Sequence, residues 1–314
     1  MPSKAKPNPP IAPRQRVSDA FVAILRHNLA ILPLWMDSAR DWQDIEGVHQ
    51  LRVVFRRMRS ALSLFRDAIP RELTVEVADE MRWLADALGP ARDLDVFIAE
   101  GLDVAAGSLN LAGETGLRDL AEQRRADCYR AQVCPMLDSP RLRRFLETFP
   151  DWLDTRPWES ACHDARATER MRANILDYAQ RRLDKQYRRV LKAGARVDRE
   201  DAAEMHRLRI ECKKLRYAAE FFLPLFSDLD DFIGHLKGIQ DLLGVMNDVS
   251  VTRHLLDDLL SDTHDRQIIL YAGALIGWRT CEYRHLLRRF DAAWSELVEA
   301  RRAWREDAPR RDED

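Results

Sequence analysis

A basic amphipathic stretch that occurs twice restricts this chain more than any other feature. It reads VHQLRVVFRRMRSALSLFR over residues 48–66 and MHRLRIECKKLRYAAEFF over residues 205–222. At an offset of 157, His49 falls on His206, Leu51 on Leu208, Arg52 on Arg209 and Arg56 on Lys213. Arg57 then falls on Lys214, Arg59 on Arg216, Ala61 on Ala218 and Phe65 on Phe222. At about 100° per residue, Val48, Leu51, Phe55, Met58, Leu62 and Phe65 share an apolar stripe, the pattern of a helix packed in a bundle. His49, Arg52, Arg56, Arg59, Ser63 and Arg66 share a second stripe, rotated by about a third of a turn. The copy repeats it with His206, Arg209, Lys213 and Arg216. Such a helix buries one edge, while the stems of the charged edge pack and their heads line a crevice.

The charged edge is locally unfavourable. Like charges at Arg52/Arg56, Arg56/Arg59, Arg209/Lys213 and Lys213/Arg216 each cost a helix about 0.2–0.5 kcal/mol, and no acid shares that face. One such stripe reads as a solvated surface; its recurrence with His in the same place reads as an anion site. Asp44 and Asp201 each precede the histidine by five residues, so both stripes begin near helix N-termini, where an anion is already favoured. Asp201 and Glu204 have capping-box spacing, whereas Gly47 stands at the matching place after Asp44. The whole chain has a net charge of −2, yet residues 48–66 hold five Arg and no acid. Local basic stripes on a near-neutral chain point to a specific anion groove, not to coating of nucleic acid or membrane by bulk charge.

The rest of the chain is helical in period. Helices are expected over 17–35 (kinked or ended at Pro33), 48–67, 73–88 (stopped by Gly89-Pro90), 94–104 (capped by Asp93), 117–133 and 142–149. A boundary at 155–158 is followed by helices over 166–190, the His206 stretch as far as Pro224, 229–243 (ended by Gly244), 249–260 and 266–302. Arg82, Leu84, Asp86, Leu88 and Gly89 match Lys237, Ile239, Asp241, Leu243 and Gly244 at an offset of 155, and Asp93 matches Asp248. No stretch alternates with period two. The expected fold is all-α, two tandem four-helix-bundle-like repeats (16–154 and 159–305) related by pseudo-twofold symmetry. A disordered leader (1–15) and a charged tail (306–314) flank them.

Other classes are disfavoured. The five cysteines are scattered, without a CxxC pair, which suits a reducing, cytoplasmic setting and no zinc ribbon. The proline-rich start has no apolar signal region, and the most apolar run, 268–278, is too short to span a membrane. His49 and His206 have no acid three or four residues on and are ringed by Arg, so no metal is expected. His235-Leu236-Lys237-Gly238 approaches a histidine-phosphotransfer helix but is one residue short, turning Lys237 away from His235. No nucleophile–base pair or Gly-rich phosphate loop suggests turnover, and no cofactor is expected.

The repeated H-x-x-R-x-x-x-[RK]-[RK]-x-R helix, with the paired L-G-x-x-x-D, resembles the CHAD family, the conserved histidine α-helical domain, over about residues 15–305. The resemblance implies two four-helix bundles side by side and non-enzymatic binding of inorganic polyphosphate in a basic central groove. It implies contacts from His49, Arg52, Arg56 and Arg59 on one side and His206, Arg209, Lys213 and Arg216 on the other. Arg82, Lys237 and Arg92 are further implied contacts, with Asn247 standing where the second copy would place Arg92's partner and Ser250 where it would place an acid like Asp95. Polyphosphate offers no base edges, so a track of guanidinium forks suits it, and histidines would strengthen binding at lower pH. Arg57 and Lys214 are read as salt-bridged or outer-surface residues, and Asp86, Asp241, Asp93 and Asp248 as helix caps that orient the groove arginines. The family also implies targeting to polyphosphate granules. Nucleic acid is the rival ligand, weakened by the scarcity of aromatic platforms beside the stripes, Tyr217 excepted. CHAD domains adjoin triphosphate tunnel metalloenzyme domains, whose E-x-E-x-K strand is missing from this sequence.

Overall fold

In the computed structural model, which describes residues 9–305, the periodic apolar stretches form helices. The β-type contact among those residues is an isolated antiparallel bridge between Arg16 and Asn174. The main helices are α1 (Val17–Leu29), α2 (Ile45–Phe65), α3 (Val75–Ala87), α4 (Gly89–Val96) and α5 (Glu114–Cys128). They continue as α6 (Pro140–Thr155), α7 (Ile175–Gly194), α8 (Ala202–Phe222), α9 (Leu229–Leu259) and α10 (Arg266–Glu299). The fold is all-α.

The two histidine helices, α2 and α8, lie against each other at the centre. Phe65 and Phe222, matched in sequence, meet edge-on with ring centroids 6.1 Å apart. Phe65 also stacks on Tyr178 of α7 at 5.4 Å and meets Phe21 of α1 at 5.4 Å. One cluster of buried side chains therefore runs through both halves, from Ile11 to Trp304. A second cluster joins Phe97, Leu102 and Leu117 of the first half to Leu256, Tyr271 and Leu275 of the second. At the expected boundary, Arg156 takes a left-handed conformation (φ 48°) and Trp158 is fully buried, 5.3 Å from Phe21.

Several expected breaks fall elsewhere, each for a visible reason. Gly244 does not end a helix, and α9 runs unbroken through Asp241 and Asp248. A glycine costs a helix interior only about 1 kcal/mol, which the buried face of Leu236, Ile239, Leu243 and Met246 outweighs. The stop at Gly89-Pro90 falls where expected, α3 ending at Ala87, but the same two residues open α4 at once, since Leu88 keeps a right-handed backbone and proline is tolerated in a first turn. Asp93 thus lies inside α4, and Asp86, Asp93, Asp241 and Asp248 cap no helix. The expected 94–104 helix continues from α4 through a π-helical turn, Phe97–Leu102. Pro150 lies inside α6, which extends past 149 to Thr155.

The expected 166–190 helix is split at Ala173. The Ala173 carbonyl accepts from the Val17 N–H, and the Asn174 side chain caps α7 by accepting from the Leu176 N–H at 2.7 Å. Residues 1–8 of the expected leader and 306–314 of the tail lie outside the described residues. Residues 9–15 are packed: Ile11 is buried and the Gln15 carbonyl accepts from the Ile175 N–H. Residues 17–36, with a mean hydropathy of 1.3, are long and apolar enough to cross a membrane, a stretch the sequence reading passed over. Here they form α1 and the short helix Pro33–Met36, with Phe21, Ile24 and Leu25 of α1 wholly buried in the core.

Gly47, in the first turn of α2, leaves no room for a side chain. A Cβ there would stand 2.2 Å from the Ala39 backbone nitrogen and 2.3 Å from the Ser38 carbonyl carbon. Gly47→Ala should therefore destabilise the protein by about 1–3 kcal/mol or more. Urea unfolding of the variant beside wild type checks this, and an unchanged midpoint would refute it.

Candidate functional site

Both histidine helices are anchored by the aspartates the sequence points to. The Asp44 carboxylate accepts from the Glu46 N–H at 3.0 Å. Asp201 accepts from the Ala203 and Glu204 N–H groups at 2.8 and 3.2 Å. The reciprocal half of the capping box is not made, because Glu204 turns to the Asp198 N–H instead, at 2.8 Å.

The contact between α2 and α8 brings several of the expected cations together over one buried tyrosine. The guanidinium carbons of Arg56 and Arg57 lie 5.8 and 5.7 Å from the Tyr217 ring centre, and that of Arg216 lies 5.3 Å from it. Cation–π attraction of about 0.5–2 kcal/mol each holds the guanidinium groups without cancelling their charge. Arg57 takes a different role from its neighbours. It is buried, stacks on Phe221, donates to Asn28 Oδ1 at 3.1 Å and pairs with Glu220 across the α2–α8 contact. Lys214 pairs with Glu211 at 2.6 Å. Both are salt-bridged, but Arg57 is an internal strut, not an outer-surface residue.

Arg52, Arg56, Arg59, Arg209, Lys213 and Arg216 are all half-buried. Arg216 reaches Glu220 at 3.6 Å. Among the described residues, Arg52, Arg56, Arg209 and Lys213 make no ion pair within 4.0 Å. The Nε atoms of Arg56, Arg209 and Arg216 and the Tyr217 hydroxyl are buried without a hydrogen-bond partner.

The electrostatics follow from this crowding. Burial pushes the Lys213 amine down to about 7, helped by Arg56, Arg209 and Arg216 and opposed by Asp248. Burial also lowers Arg52 and Arg209; Asp93 and Asp86 oppose this at Arg52, and Asp248 opposes it at Arg209. Asp93 is raised by burial and by its matched partner Asp248, so these two acids share the rim of the cluster. Neither caps a helix, and each acts on its arginine through charge alone, with no ion pair within 4.0 Å among the described residues. Arg92 acts on Arg52 and Asp93 and belongs to the same group.

Gly89 has a further use here. A Cβ on it would stand 3.0 Å from a terminal nitrogen of Arg52, so the glycine clears the space in which that guanidinium lies. His206 is exposed, its Nδ1 2.6 Å from the Asn247 Oδ1. Asn247, read in sequence as a missing cation, is thus the orienting partner of the histidine. His49 is half-buried. Arg82 and Lys237 are exposed, and Arg82 pairs with Asp79 on its own helix at 2.7 Å, so neither is tied to the cluster. Among the described residues, no group of three His, Cys, Asp or Glu is arranged to hold a metal ion.

A profile of the CHAD domain matches residues 23–257. The chain belongs to the CHAD family. Its CHAD fold superposes on the crystal structure of the CHAD domain from the plant Ricinus communis with a TM-score of 0.76. The identity is 26%, covering 98% of this chain and 100% of that one. PptA from Streptomyces chartreusis shares the fold alone, at a TM-score of 0.65 and 16% identity, covering 90% of this chain and 100% of that one. The uncharacterized protein Rv2226 of Mycobacterium tuberculosis is 31% identical over 81% of this chain and 47% of its own length. A second uncharacterized M. tuberculosis protein, MT2285, is 30% identical over the same shares. The chain thus spans about half the length of these curated relatives. None of the relatives named here carries an enzyme name.

In this CHAD domain, sequence reasoning noticed Tyr217 only as an aromatic near a stripe. The signal that could have found its role is its position next to Arg216 on the buried side of the same helix. The crowding also carries a stability cost with a definite sign. Lys213 has a folded pKa below its unfolded value, so the cost is full below about pH 7 and disappears as pH rises toward the ordinary lysine range. Lys213→Met should raise the urea midpoint at pH 6 and do so less at pH 9. A variant less stable than wild type at pH 6 would contradict this.

Proposed function

We propose that this protein binds inorganic polyphosphate, without turning it over, along the basic face shared by α2 and α8. One observation carries the reading: Arg52 and Arg56 of one helix and Arg209 and Lys213 of the other act on one another beside the Tyr217 platform, and among the described residues none of these four has a carboxylate within 4.0 Å. A protein that gathers half-buried like charges without pairing them holds a site whose missing component is an anion. The expected contacts are Arg52, Arg56, Arg59, Arg92, Arg209, Lys213 and Arg216, with His49 and His206 at the N-terminal ends of the two helices. Arg82 and Lys237 would extend the track for a longer chain. The guanidinium forks suit paired phosphate oxygens, and a flexible polymer of repeated charges suits a row of them. Polyphosphate binding by this chain would bring it to polyphosphate granules, and five unpaired cysteines suit the reducing cytoplasm in which we place it.

The test is titration with polyphosphates of defined length. Arg52→Ala/Arg209→Ala should weaken binding at least about tenfold, since each charge-assisted hydrogen bond contributes about 1.5–3 kcal/mol. Unchanged affinity would overturn the reading. RNA should compete poorly; an RNA that displaces polyphosphate at equal charge concentration would favour a nucleic-acid site.

Binding should also strengthen as pH falls from about 8 to 6. Anion binding favours the protonated Lys213, whose amine titrates at about 7 in the free protein. Lys213→Arg should flatten that slope, and a slope that persists in Lys213→Arg but is lost in His206→Gln would assign it to the histidine instead.

A further inference from the structure

Seven lysines occur in the chain, and two adjacent ones on α8 have opposite surroundings. Lys214 is exposed and its Nζ donates to Glu211 at 2.6 Å. Lys213 is half-buried and, among the described residues, has neither an ion-pair nor a hydrogen-bond partner. The charged groups acting on it are Arg56 from α2, Arg209 and Arg216 from its own helix, and Asp248 from α9. Arg56 and Arg216 are themselves held over the Tyr217 ring, one turn beyond Lys213. The amine therefore stands among three guanidinium groups with no carboxylate tying it down.

We propose that Lys213 is a modification site, acylated by small acyl phosphates that the surrounding arginines recruit through the phosphate group. The arginine forks would hold the phosphate, placing the acyl carbonyl beside the amine. The Lys213 nitrogen attacks the carbonyl carbon, an N–C bond forms, and the C–O bond to phosphate breaks. Inorganic phosphate departs with that electron pair, and the amine proton passes to phosphate or solvent, so no oxidant or reductant is needed. Burial and the arginine charges keep a large share of this amine neutral near pH 7.5, which an ordinary lysine is not. Acylation removes a cation from the centre of the cluster and fills space there, so it would switch the groove off. That regulatory consequence rests on the polyphosphate reading; the reactivity does not.

The experiment treats the full chain with acetyl phosphate between pH 6.5 and 9 and follows each lysine by peptide mass spectrometry with fragmentation that separates Lys213 from Lys214. Lys213 should be acetylated at least about tenfold faster than Lys214 or Lys237 at pH 7.5, and its rate should level off above about pH 8 while theirs keep rising. Acetylated protein should lose polyphosphate affinity, as should Lys213→Gln, and polyphosphate should shield Lys213 from the reagent. Equal rates at the three lysines would overturn the proposal even if polyphosphate binds. Fast labelling of Lys213 on a protein that does not bind polyphosphate would support the modification site and overturn the ligand reading.

Discussion

The structure depends on the direct packing of α2 against α8. Phe65 against Phe222 closes the apolar side of that contact, and the pair between buried Arg57 and half-buried Glu220 closes its polar side. Removing Glu220 would leave Arg57 buried and charged without its partner, at a cost of up to about 3–5 kcal/mol. With both interactions in place the two helices cannot slide or turn, and the basic edges beside their apolar stripes are forced together. Asn28 of α1 extends the lock by accepting from Arg57 while donating to the Ile24 carbonyl at 2.7 Å, so the helix that covers α2 is tied to the same point.

That enforced meeting explains how the site keeps its charge. Proteins usually hold arginines in place with carboxylates, which fix geometry and cancel charge at once. Here Tyr217 supplies a neutral platform for Arg56, Arg57 and Arg216, and only Arg57 and Arg216 share an acid, Glu220. Asp93 and Asp248 stand at the rim, near enough to act on Arg52 and Arg209 but beyond ion-pair distance. The arrangement is unfavourable for the folded protein, as the depressed Lys213 amine records. The surrounding core, which locks α2 and α8 from both halves, offsets that cost.

The expected breaks that failed share a cause. Gly244 and Pro150 carry real local preferences, but each contributes at most a few kcal/mol, whereas the apolar face of a helix held in a core contributes more in sum. The split at Ala173 is the reverse case. There the backbone leaves the helix to pair with the segment entering α1, a partner far away in sequence that no local pattern reveals.

By itself the sequence determined the all-helical class, the two histidine helices with their Asp caps, and the cationic edge of each, because helical periodicity and capping are local properties. It also carried the family resemblance, which the CHAD profile over residues 23–257 bears out. Only the tertiary structure decided that Arg57 is a strut while Arg56 remains unpaired, that Gly89 makes room for Arg52, that Asn247 holds His206, and that Tyr217 lies beneath three guanidinium groups. Neighbours on one helix differ in role according to what packs against them. Those partners come from other helices, so their identity is a product of the folded core and not of spacing along the chain.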